Sequence, residues 1–411
     1  MRFLHAADIH LDSPLCGLEE YEGAPVQALR GATRKAFAAL IQLALVEQVE
    51  FVILAGDLYD GDWPDYNTGL FFVNRVAELH RAGIPVVFLS GNHDAASRIT
   101  ARLTLPASVH PLPTTEPGTI RFDDLRVAVH GQGFARQAEM RNLAADYPAP
   151  VAGFFNIGVL HTALDGREGH DSYAPCTIDE LVARGYDYWA LGHIHKRESV
   201  NSGRHPRIEF PGNLQGRHVR ESGPKGCLLV SVDGKGQATP EFRQLDVFRW
   251  ETVMVDAAVA ESIADVLDTA RSAVCDTCDG ADGVPLAARV VISCSESMGL
   301  CLAADPEQFR ADLRGQVGGD VWIEKIKVTP LRVAQAESPI MSEHAASELQ
   351  AVLDEMRRQP DDARTVFADG DCGKLVKLLP PQLRKSFENS WDDVFARAAA
   401  LLNTTASEST P

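Results

Sequence analysis

Two short runs in this sequence set pairs of side chains two residues apart: Asp8-Ile9-His10 and His193-Ile194-His195. Alternate residues of an extended chain face the same way, so each pair converges on one point. Two more runs carry further ligand-type groups: Gly56-Asp57-Leu58-Tyr59-Asp60 and Gly91-Asn92-His93-Asp94. A fifth contribution is His161 alone. Each group closes a short apolar run: FVILA before Gly56, VVFLS before Gly91, IGVL before His161 and YWAL before Gly192. Carboxylates, imidazoles and one amide at five strand ends are the donor set of a two-metal centre. Two divalent ions about 3.5–4 Å apart can make a nucleophile at neutral pH and neutralise phosphoryl oxygens. That chemistry splits phosphoesters. Asp57 is the carboxylate chosen to bridge the pair. His93, an imidazole beside the carboxylate of Asp94, suits acid–base work. Taken singly, His10 or His161 reads as an ordinary structural histidine; five motifs in order do not.

The elements that must carry these groups alternate. Strand-like runs are expected at 3–7, 51–55, 86–90, 127–130, 157–160 and 188–191. Amphipathic helices are expected at 26–49 and 66–82, the second ended by Gly83 and Pro85. Paired strands follow at 207–210, 227–232 and 241–245. Alternating elements followed by paired strands give a layered α/β sandwich over residues 1–245. A small α+β domain is expected over 246–335, with strands at 250–255, 288–293 and 321–329 and helices at 259–273 and 309–315. A linker at 335–339 leads to a proline-punctuated helical segment, 340–402, and a Ser/Thr-rich tail, 403–411, expected to be disordered.

The bulk numbers set limits. A chain of 411 residues implies two or three domains. No apolar run reaches the length of a membrane span, and MRFLHAADIH lacks the pattern of a secretory leader, so a cytoplasmic protein without a membrane partner is expected. The eight cysteines, Cys275 and Cys278 included, match no zinc-site spacing and read as unligated thiols. The net charge of −18 divides into −6 for residues 1–245 (23 Lys+Arg, 29 Asp+Glu) and −12 for the remainder. This argues against broad electrostatic binding of DNA and leaves room for a local basic site.

The five motifs resemble those of the calcineurin-like metallophosphoesterase superfamily, and within it the SbcD-type DNA-repair nucleases, the bacterial YhaO group in particular. Further matches are GDLYDGDW at 56–63, HTALDGREGHDSYAPC at 161–176, GYDYWALGHIH at 185–195 and PGNLQGRHVRESGPKG at 211–226. The resemblance implies a four-layer α/β/β/α sandwich with a capping domain and a helical C-terminal segment. It implies one metal on Asp8, His10, Asp57 and His195, and the other on Asp57, Asn92, His161 and His193. Manganese suits that mixture of carboxylate, amide and imidazole. A hydroxide bridging the ions would attack phosphorus in line, with His93 assisting and Asp94 orienting it. Implied partners are DNA ends, an SbcC-class coiled-coil ATPase docking on 340–402, and a second copy of the chain. In one place the sequence departs from the group: Asp60 stands where a histidine is usual. Substrate contacts are expected from Asp60, Arg98, Arg197, Gln215, Arg217 and His218. Two other readings stay open: a phosphoesterase for a small molecule or a protein, and a non-catalytic scaffold for DNA ends.

Overall fold

A computed structural model describes residues 1–13, 25–60, 67–95, 104–166, 173–201 and 204–330. Among them, two six-stranded sheets form the first part. In the first, the strand order is Ala238–Gln244, Gly226–Val232, Arg2–Ala6, Phe51–Ala55, Val86–Leu89, Val109–Pro111. In the second, it is Gly118–Phe122, Val127–Gly131, Phe155–His161, Tyr188–Gly192, Arg207–Phe210, Glu198–Ser199. The four strands from Arg2–Ala6 to Val109–Pro111 run parallel, as do the four from Val127–Gly131 to Arg207–Phe210.

Strand alternation builds the layers. Phe3, Phe51, Ile53, Val87 and Leu89 leave the first sheet on one side and meet Val127, Val129, Ile157, Val159 and Tyr188 of the second. Their neighbours, Leu4, Val52, Leu54 and Phe88, leave on the other side and meet two helices. Those helices are Ala32–Glu47, which buries Ala36, Phe37, Leu40, Ile41 and Ala44, and Asn67–Arg81, which buries Phe72, Val76 and Leu79. The outer face of the second sheet, with Leu160, Trp189, Leu191 and Phe210, is covered by Leu181 of helix Ile178–Ala183 and by Tyr147 and Tyr186. The order is α/β/β/α. Because a strand buried on both faces has no polar side, FVILA and VVFL read as unbroken apolar runs.

Differences from expectation are local. The helix expected over 26–49 divides at Gly31 into Val26–Arg30 and Ala32–Glu47. Strands Val109–Pro111 and Gly118–Phe122 lie outside the expected set. Both are short or half-exposed and carry little periodic signal.

From Arg249 a third sheet begins, with parallel strands Arg249–Ala257, Leu286–Cys294 and Val321–Pro330. Helices Ile263–Asp279, Glu296–Ala304 and Pro306–Val317 share its core, with Val266, Ala270, Leu302, Phe309 and Leu313 against Val253, Val255, Val290 and Ile292. The first of them starts at Ile263 rather than 259 because Ser262 and Asp265 close a capping box. Helix Glu296–Ala304 went unanticipated: its ESMGLCLAA is apolar on most sides and lacks a clean stripe. Trp250, Trp322, Phe248 and Ala287 of this part pack on Leu29 and Ala32 of the first. All the described residues fall within one compact unit, Met1–Leu331. The expected linker 335–339, helical segment 340–402 and tail 403–411 lie outside the described residues.

Candidate metal centre

The carboxyl ends of the parallel strands of both sheets open on one side, where crevices of α/β folds gather ligand groups. Asp8 and His10 follow Arg2–Ala6. Asp57 follows Phe51–Ala55, Asn92 and His93 follow Val86–Leu89, His161 ends its own strand, and His193 and His195 follow Tyr188–Gly192. The first two loops run side by side. The Asp8 amide donates to the Gly56 carbonyl at 3.0 Å, and the Ile9 and His10 amides both donate to Asp57 O at 2.9 and 3.0 Å.

This closeness strains the backbone. Asp8, His10, Asp57 and His193 have φ of +51°, +47°, +49° and +95°. Four non-glycine residues in the left-handed region at one site mark a place where function has overridden local preference. Gly91 explains another part of the sequence. A Cβ there would sit 2.2 Å from Asp57 Oδ1. The glycine is needed for the close approach of a side chain, not for an unusual φ. Gly56 serves both purposes, with φ +96° and the His161 ring 2.2 Å from where its Cβ would be.

The side chains meet with their acceptors together. His161 has Nδ1 3.1 Å from the Ala55 carbonyl, so in the neutral ring that nitrogen carries the hydrogen and Nε2 does not. Nε2 faces Asn92 Oδ1 at 3.0 Å and Asp57 Oδ2 at 3.3 Å. Across Asp57, His10 Nε2 lies 3.9 Å from the same Oδ2 and 3.2 Å from His195 Nε2. His195 has Nδ1 2.7 Å from Glu221 Oε1, so its Nε2 is bare in the neutral ring too, and Asp8 Oδ1 is 4.0 Å away. Asp8 also accepts the His193 amide, at 3.0 and 3.1 Å on its two oxygens. His193 stacks edge-on to His161, ring centroids 5.1 Å apart. Asp8, His10, Asp57, Asn92 and His161 are all buried, and His10 Nδ1 has no hydrogen-bond partner among the described residues.

Buried lone pairs facing one another call for a cation. Two of three overlapping groups that could hold a cation answer it, Asp8 with His10 and His195 and Asp8 with Asp57 and His161; the third is His10, Asp60 and His93. The residues therefore fit a pair of divalent ions, and Asp57 Oδ2 stands between the groups. Without ions, protons serve. Burial opposes charge on the His161 ring, but the Asp57 carboxylate outweighs it and pushes the ring up to about 9. Burial likewise works to raise the Asp57 carboxyl. His161, and after it His10 and His93, holds it well below the usual carboxylate range.

His93 differs from the others. Its side chain is 38% exposed, enough to meet a ligand. Its amide donates to Asp57 Oδ1 at 3.0 Å, and its Nδ1 lies 2.7 Å from Asp60 Oδ1. That bond raises the imidazole above its ordinary value, against the effect of burial.

Several expected roles change. Asp94 does not orient His93. Its buried carboxylate turns back under the chain and accepts the amides of Gly91, Leu58 and Tyr59 at 3.0, 3.1 and 2.9 Å. Burial raises it to about 6, with those amides opposing. Asp60 holds His93 instead. Gln215 lines no cleft: it is buried, takes the Val247 amide on Oε1 at 2.9 Å and donates to the Gly216 and Phe248 carbonyls. Arg197 lays its guanidinium over the Phe242 ring, 4.2 Å from the centroid. Arg217 turns inward, 3.1 Å from Asp60 Oδ2 and 3.0 Å from Glu221 Oε1. His218 is half-exposed, with Nε2 3.7 Å from Glu221. Arg98 lies outside the described residues. Glu221 and Lys225 escaped the sequence reading. Glu221 was the one acid in the basic stretch QGRHVRES, which was the available signal.

Residues 1–197 match the family model of the calcineurin-like phosphoesterases. The first part of this chain is a calcineurin-like phosphoesterase domain. The family supports hydrolysis of phosphoester bonds, and the candidate ligand groups support divalent metal ions. Residues 250–329 match a second model, the middle domain of metallophosphoesterase YhaO. The uncharacterized metallophosphoesterase YhaO of Bacillus subtilis is 38% identical over 266 residues, covering 64% of this chain and 65% of that protein. The DNA double-strand break repair protein Mre11 of Methanopyrus kandleri is 26% identical over 276 residues, covering 60% of this chain and 57% of that protein. The chain thus spans less than two thirds of these relatives. A dimetal phosphatase from Danio rerio aligns at 12% identity over 56% of this chain and 92% of that one, with a TM-score of 0.33, too low to carry weight. Among the described residues no helix of the phosphoesterase domain or of the second domain is long and apolar enough to cross a membrane.

Proposed function

We propose that this chain is a two-metal phosphodiesterase acting on DNA ends. The observation that carries the two-metal part is the crowding of bare acceptors on both sides of Asp57 Oδ2. The likeness to a protein named for double-strand break repair supports DNA as the substrate. In this reading Asp8, His10, Asp57 and His195 hold one ion, and Asp57, Asn92, His161 and His193 hold the other. Manganese is the ion favoured by that ligand mixture. The bound ions supply an activated water and draw charge from the phosphoryl oxygens.

The protein's own residues do the remainder. Asp57 fixes the spacing of the pair. Asp60 keeps the proton on His93 Nδ1 and aims Nε2 into the cleft. From Nε2, His93 protonates the leaving oxygen as the P–O bond breaks. A half-exposed acid held by a partly buried carboxylate can reload its proton from solvent between turnovers.

The test is a manganese-dependent assay on bis-p-nitrophenyl phosphate and on end-labelled linear DNA, alongside His93→Ala. The proposal expects both substrates to be cleaved, with the variant slower by about 10²-fold or more. Diester turnover without DNA cleavage points to a small-molecule substrate. No turnover of either points to a scaffold. The reading extends to a homodimer and to an SbcC-class ATPase docked on 340–402.

A further inference from the structure

The carboxylate of Glu221 is held from every side. Oε1 lies 2.7 Å from His195 Nδ1 and receives Arg217 Nη2 at 3.0 Å. Oε2 receives the Arg217 amide at 2.7 Å and Asn213 Nδ2 at 3.0 Å. Glu221 is 5% exposed, so these bonds are not diluted by water. A buried anion so fully engaged cannot swing away. It is a fixed object against which the His195 ring is set.

The loop that carries it is equally constrained. The Lys225 ammonium donates to the His195 carbonyl at 2.9 Å. Arg217 reaches the other way to Asp60 Oδ2, the carboxylate whose second oxygen meets His93. From the second domain's side, the Val247 amide donates to Gln215 Oε1 at 2.9 Å, and the Gly223 amide donates to the Trp250 carbonyl at 3.0 Å. His93, Asp60, Arg217, Glu221 and His195 form one unbroken chain of charge-assisted bonds.

We propose that Glu221 is a positioning residue that fixes the tautomer and direction of His195, and that Arg217 is the strut that holds Glu221 in place rather than a phosphate-binding residue. This rests on the reading of His195 as a metal ligand. The chemistry is that of an imidazole whose far nitrogen donates to a carboxylate. The ring cannot flip, its near nitrogen stays bare, and its basicity rises.

Manganese titration of the metal-stripped full-length chain, by calorimetry and by the paramagnetic resonance signal of free Mn²⁺, tests it without any substrate. Glu221→Gln should weaken one of two sites by about 10–100-fold and leave the other within about twofold. In a His195→Ala background the same substitution should change the affinity by less than about twofold, because its effect passes through that ring. Equal titration curves for Glu221→Gln and the parent chain would overturn the proposal. So would an effect of undiminished size in the His195→Ala background. Should Glu221→Gln not fold, Arg217→Gln probes the same link. It should lower metal affinity and kcat with KM within about twofold, whereas a rise in KM alone would return Arg217 to phosphate binding and overturn the strut. A parent chain that binds two ions but cleaves no diester defeats the proposed function and leaves this inference standing.

Discussion

Asp60 Oδ1 lies 2.7 Å from His93 Nδ1, while the carboxylate of Asp94, the sequence neighbour of that histidine, accepts three backbone amides instead. The partner of the His93 imidazole, the proposed acid–base group, therefore comes from another strand end, 33 positions away in the chain. Asp60→Asn should lower kcat by about tenfold or more, with KM little changed, and His93→Ala by more still. The carboxylate raises the imidazole, so its loss should also move the basic limb of the kcat profile to lower pH. Steady-state kinetics of the diester assay against pH reads both; an unmoved limb would separate Asp60 from His93.

Gly91 is a tight constraint on the Asp57 carboxylate proposed to bridge the ions, since a Cβ would meet Asp57 Oδ1 at 2.2 Å. Gly91→Ala should displace that side chain and abolish binding of the metal pair. Overpacking of this kind costs about 1–3 kcal/mol of stability, so the variant should still fold. Manganese titration beside a thermal melt distinguishes a lost site from a lost fold.

His5 supplies a pH signature of the fold itself. It is fully buried between the sheets, with Nδ1 3.0 Å from the Tyr188 hydroxyl and Nε2 3.1 Å from the Leu191 carbonyl. That pattern fits a neutral ring, and burial lowers it from 6.5 to about 3. Between those values the unfolded chain takes a proton that the folded chain refuses. Stability is present in full above pH 6.5 and is lost as the pH falls, by up to about 1.4 kcal/mol per unit from this group. Urea unfolding from pH 7.5 to 5 should show a shallower acid slope in His5→Gln than in the parent chain. Identical slopes would mean that His5 is charged, or exposed, in the native protein.

Removing residues 340–411 should abolish co-purification with an SbcC-class ATPase while phosphodiesterase activity persists. Unchanged binding by the shortened chain would exclude this segment as the docking element.

Much of the centre was legible because each ligand group sits at a strand end with an apolar run before it. FVILA and YWAL announce buried parallel strands, and whatever follows such a strand emerges at the carboxyl edge. What was not legible is what depends on side-chain direction. Asp94 and Asp60 are both acids near His93 or Asp57, and only the backbone turn at 91–95 decides which one faces the ring. Gln215 and Arg217 sit in a basic loop that reads as a phosphate contact. They turn inward because Val247, Phe248, Asp60 and Glu221 offer hydrogen-bonding partners that no spacing rule reveals. Helix Glu296–Ala304 lacked a stripe because apolar Leu300, Cys301, Ala303 and Ala304 are exposed and mask the one buried face of Met298, Gly299 and Leu302.

The central claim is that Asp57 stands between two metal ions. Anomalous diffraction from a manganese-soaked crystal measures this directly. The account predicts two peaks about 3.5–4 Å apart, one on each side of the Asp57 carboxylate. The first should lie against His10 and His195 and the second against Asn92 and His161. A single peak, or a pair remote from Asp57, would contradict it.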